Sequence, residues 1–98
     1  MTTYELLTWN HDVGFTTIFK GDSTPLKMRK MAYELSRQNN VRVVHLMRYN
    51  AKTGDMDFIG EIGGSCNVWY EIKSHGQFEI SRKSYSISGN GKIEPLWS

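Results

Sequence analysis

Ninety-eight residues, 39% of them hydrophobic and 12% aromatic, exclude a disordered chain and leave no room for a second core. Cys66 is the single cysteine, so no intramolecular disulfide can form; small secreted domains are usually stapled, and the composition therefore predicts a cytoplasmic setting. Uninterrupted apolar runs fall far short of the roughly 20 residues that span a bilayer, and Met1–Trp9 lacks the basic and apolar stretches of a secretory leader, which predicts no membrane association.

The expected architecture is α+β, a single domain over 1–98 with one helix packed on a mostly antiparallel sheet of four to six strands, in the order β-β-α-β-β-β-β. Residues 3–9 are rich in strand formers, 10–14 have turn composition, and Phe15–Phe19 reads as a returning strand, so the chain opens with a hairpin. Ser23-Thr24-Pro25 then signals a helix start, because a hydroxyl can accept from an orphan amide and proline suits the first helical position. Met28, Met31, Ala32 and Leu35 form one apolar stripe, and Asn39-Asn40 offers a stop, giving a helix over 24–39.

Val41–Tyr49 carries apolar residues on both faces, as a central strand does. Gly54 punctuates the turn before a strand over 56–62, whose Met56, Phe58 and Ile62 are expected on one face with Asp57 and Glu61 on the other. Two more alternating runs follow at 67–73 and 77–82. Tyr85 and Ile87 are out of phase with Phe78 and Ile80, which calls for a bulge near Arg82-Lys83. A turn at Ser88–Gly91 leaves 92–97 as a short edge strand with one further proline, Pro95.

No catalytic constellation stands out. Cys66 lies after two glycines, where a thiol nucleophile would need a histidine beside it, and otherwise serves as a small packing residue. His11, His45 and His75 are 34 and 30 residues apart, without the short ligand spacing of a zinc site. Asp57 and Glu61, four apart, are separated by roughly 13 Å along a strand, too far for a carboxylate pair acting on one bond. Gly60–Gly64 lacks the Lys-Ser/Thr ending of a phosphate loop, so no cofactor and no metal are expected.

Charge is the one feature above background. The net charge is +2, yet Lys20–Lys52 holds eight basic residues against two acidic, and the remainder four against eight. Lys27, Lys30 and Arg37 fall on the helix's polar side, and Arg42 and Arg48 share a strand face. Such a surface suits an anionic partner and makes nucleic-acid binding the alternative reading, although the aromatic signature of the sheet-type RNA binders is absent. The favoured expectation is a non-catalytic binding module that docks onto a larger protein, with Trp9 and Trp97 as interface aromatics. A small inhibitor or accessory factor of a mobile genetic element is one category that size and composition suit. Such an interface should combine aromatic residues with arginine.

Overall fold

The structure is a computed structural model and describes residues 2–96. Seven strands, β1 (Thr2–Asn10), β2 (Gly14–Ser23), β3 (Val43–Asn50), β4 (Asp55–Gly63), β5 (Val68–His75), β6 (Phe78–Ile87) and β7 (Ile93–Pro95), accompany one helix, α1 (Pro25–Ser36). All pair antiparallel in one sheet of order β2-β1-β3-β4-β5-β6-β7. The α+β class is as expected, but the strands number seven rather than four to six. The extra strand comes from the 92–97 segment, where Ile93–Pro95 adds a three-residue edge.

The helix begins as its sequence dictates. Thr24 is extended and its Oγ1 accepts from the Lys27 amide at 3.3 Å, with Pro25 in the first turn. It stops at Ser36, three residues earlier than expected, because the Arg37 and Gln38 amides close the last turn onto Glu34 and Leu35. Asn40 does adopt the left-handed conformation (φ 72°), but in the following turn rather than at the helix cap.

Met28, Ala32 and Leu35 of α1 pack onto Tyr4 and Leu6 of β1, Val44 and Leu46 of β3, Ile62, Trp69 and Ile87. Full burial of each aliphatic side chain contributes about 1.5–3 kcal/mol. The Ser88–Gly91 turn rests on the helix's first turns, with Arg29 Nε donating to the Gly91 carbonyl at 2.8 Å.

Three strands carry one extra residue each, and each time it is an isoleucine. Ile18 of β2, Ile59 of β4 and Ile80 of β6 have no partner across the ladder. A bulge reverses the alternation of the strand beyond it and sharpens its bend. In β4 it undoes the expected face assignment. Ile62 faces the helix, while Met56 and Phe58 turn to the other side of the sheet, where they join Leu7, Met47, Tyr70 and Ile72 in a second cluster. In β6 the phase slip lies at Ile80, not near Arg82-Lys83, and Phe78 and Ile80 are exposed.

Candidate functional site

The helix-free face holds the feature of most chemical interest. Odd-numbered residues of β1 and β3 point there, and the Ile59 bulge brings Phe58 and Glu61 to the same side. Leu7, Phe15, Met47, Met56 and Phe58, with Glu5, His45 and Gln77, line an open pocket of about 380 Å³. Its walls are mainly apolar with a few polar groups, the usual make-up of a binding cavity. Glu5 accepts from the Thr17 hydroxyl at 2.6 Å and makes no ion pair among the described residues.

His45 stands at the centre of this face. Its ring stacks on Phe58 (centroids 4.4 Å apart) and leans on Phe15 at 4.9 Å. Its Nε2 lies 2.8 Å from Glu61 Oε1, and since an ionised carboxylate only accepts, Nε2 carries the proton. Arg82 Nη1 donates to the other Glu61 oxygen at 3.0 Å, and Arg82 Nε donates to Glu79 Oε2 at 2.8 Å. The His45 hydrogen bond holds the Glu61 carboxyl below the usual carboxylate range; burial opposes this, and Arg82 adds to it. The Arg82 guanidinium also lies over the Tyr70 ring, 4.8 Å from its centroid.

A hydrogen-bonded imidazole and carboxylate can serve as a general base. Among the described residues the pocket lining holds no serine, cysteine or lysine beside His45, and one face of its ring is stacked on Phe58. Both Glu61 oxygens are occupied. These hydrogen bonds fix the orientation of the group.

The residues singled out in the sequence do not form one patch. Lys27 and Lys30 are exposed on α1. Arg37 turns inward instead: its Nη2 donates to the Cys66 carbonyl and Asn67 Oδ1 in the turn between β4 and β5, its plane lies 4.0 Å from the Tyr33 centroid, and its Nε is buried without an acceptor. Arg42 and Arg48 are exposed near opposite ends of β3, roughly 20 Å apart by the strand rise. Trp9 is half-buried, with His11 against its ring edge-on at 4.8 Å. Trp97 lies outside the described residues.

Cys66 is an exposed thiol, and no histidine hydrogen-bonds it among the described residues. Among those residues no three His, Cys, Asp or Glu side chains come together to hold a metal ion. No helix among them is long and apolar enough to cross a membrane. The Arg82 guanidinium meets the Tyr70 ring on this face, a pair the sequence reading, which named Trp9 and Trp97 as interface aromatics, did not single out. Comparison with known protein families, characterised proteins and solved structures yields no match to this chain.

Proposed function

We propose that this chain is a small non-catalytic binding module, an accessory or inhibitor protein that docks onto a larger protein through its helix-free sheet face. One observation carries the reading: a cavity of about 380 Å³ opens on that face with Phe15, 51% exposed, at its rim. A partner's apolar side chain seated there would be surrounded by Leu7, Met47, Met56 and Phe58, as an anchor residue is in a desolvated pocket. The Arg82–Tyr70 pair and the His45–Glu61 pair give the surrounding surface fixed polar groups with defined directions. A face of this kind can supply the roughly 800 Å² that a standard interface takes from each partner. The lone exposed thiol of Cys66 suits a reducing, cytoplasmic compartment.

The nucleic-acid reading draws less support, since Arg37 is engaged within the fold and Arg42 and Arg48 lie roughly 20 Å apart along one strand. Affinity capture from host lysate with the wild-type chain, Phe15→Asp, and Lys27→Glu combined with Lys30→Glu separates the two. Loss of a specific protein partner on Phe15→Asp, with capture retained by the helix variant, is the expected result. Capture indifferent to Phe15→Asp and abolished by the helix charge reversal would refute it. Oligonucleotide binding that weakens steeply with salt would favour the cationic surface instead.

A further inference from the structure

Resting on the docking role proposed above, the geometry points to a basic protein partner that seats one lysine in the pocket. The lysine's aliphatic stem lies against Leu7, Met47 and Met56, and its ammonium meets Glu5.

Glu5 is the pocket's acidic residue, set among Leu7, Phe15, Met47, Met56 and Phe58. Its Oε2 accepts from the Thr17 hydroxyl at 2.6 Å, which holds the carboxylate in place, while Oε1 accepts no hydrogen bond among the described residues. Nearby carboxylates are already matched, Glu61 by His45 and Arg82, and Glu79 by Arg82. Lys20 stands opposite Glu5 in the β1–β2 ladder, yet it is exposed and makes no ion pair among the described residues. Exposed pairs of that kind are weak, so Lys20 is no barrier to an incoming cation.

The lining suits an alkyl chain that ends in a positive charge. Lysine buries its methylene stem along apolar surface and keeps its charge at the tip. A wholly aliphatic anchor would meet the same walls but would cover the Glu5 carboxylate without giving it a partner, which is costly. Arginine pairs best through a fork that engages both carboxylate oxygens, and here Thr17 already takes Oε2. A compact ammonium needs only Oε1.

The charge of the whole face agrees. Residues directly opposite one another in a ladder share a side of the sheet. Tyr4 and Leu6 face the helix, so Thr3 and Glu5 do not, and the register carries that side across the strands. Glu5, Asp22, Glu61, Glu79 and Glu94 stand on the helix-free side, with Lys20 and Arg82. Five of the chain's ten acidic residues are there and two of its twelve basic ones, an anionic face on a chain of net charge +2. Complementary potentials steer docking and suppress wrong partners, so this face selects a basic protein surface.

The test titrates the protein, isotope-labelled at its methionine methyl groups, with blocked glycine pentapeptides carrying lysine, arginine or norleucine at the centre, followed by NMR. Norleucine is lysine without the ammonium. The lysine peptide should shift the Met47 and Met56 methyls saturably, leave the Met28 methyl beneath the helix unmoved, and bind about tenfold or more tightly than the norleucine peptide. Glu5→Gln should weaken the lysine peptide about tenfold and leave the norleucine peptide as it was. Glu94→Gln removes the same charge five strands away and should change lysine binding less than about twofold. The docking role is decided separately, by whether Phe15→Asp loses the captured partner. Norleucine or arginine binding more tightly than lysine, lysine binding indifferent to Glu5→Gln, or no saturable shift at Met47 and Met56 would overturn the lysine anchor.

Discussion

Gly60→Ala probes the packing on which the β4 face assignment depends. Gly60 is buried beside the Ile59 bulge, and a Cβ built there lies 2.2 Å from Trp69 Cζ2 and 2.8 Å from Cη2. To reach ordinary contact at 3.4 Å the indole must retreat by roughly 1.2 Å. Little room exists for that, because Trp69 is 1% exposed and its Nε1 donates to Glu71 Oε1 at 2.9 Å. Overpacking of this kind costs about 1–3 kcal/mol. If the ring's movement also breaks its bond to the Glu71 carboxylate, roughly 1.5–3 kcal/mol more is at stake. A loss of about 2–4 kcal/mol should lower Tm by roughly 10–30 °C in a domain of this size. Thermal unfolding followed by circular dichroism and by tryptophan emission reads it. Trp69→Phe removes the two crowded ring carbons, so the double variant should lose much less than the sum of the singles. A Tm for Gly60→Ala within about 2 °C of wild type would show that Gly60 does not face Trp69, and the bulge reasoning would fall with it.

Three further predictions follow from the geometry. Gly91→Ala should destabilise by about 1–3 kcal/mol in urea unfolding, since Gly91 has φ +86° and a Cβ there lies 2.7 Å from the Leu26 carbonyl oxygen and 2.8 Å from the Lys30 nitrogen, both helix backbone. Glu61, with its folded pKa depressed, contributes stability that is present above the unfolded carboxylate value and lost as pH falls through the folded one; Glu61→Gln should therefore flatten the acid limb of the stability–pH curve and leave its alkaline limb unchanged. Arg37→Ala should cost about 1–3 kcal/mol of stability by releasing the β4–β5 turn, and should leave any oligonucleotide affinity unchanged, measured by fluorescence anisotropy at low salt.

The elements that announced themselves in the sequence are those governed by local chemistry. Thr24-Pro25 starts the helix, the Met28–Leu35 stripe orients it, and Gly54 and Gly91 turn the chain with positive φ. What stayed hidden turns on the bulges. Isoleucine is an ordinary strand residue, so nothing in the composition of β4 marks Ile59 as the one that drops out of register. Without that slip, Phe58 and Ile62 share a face and Glu61 opposes them, which disguises the cavity. His45 and Glu61 are 16 residues apart, and Arg82 is 21 beyond Glu61, so their meeting is a product of sheet order that no local spacing records. The placement of the basic residues was hidden for a related reason. Their run in the chain reflects sequence adjacency, whereas the fold turns Arg37 inward and parts Arg42 from Arg48 along an extended strand.

Protection mapped on the chain while it is bound to its captured partner tests the docking surface most directly. Hydrogen exchange combined with side-chain footprinting should show slowed labelling at Leu7, Phe15, Met47 and Met56, with the exposed side of Pro25–Ser36 labelled as in the unbound chain. Protection concentrated on Lys27 and Lys30, with Phe15 and Met56 as reactive as before, would contradict the assignment of the helix-free face.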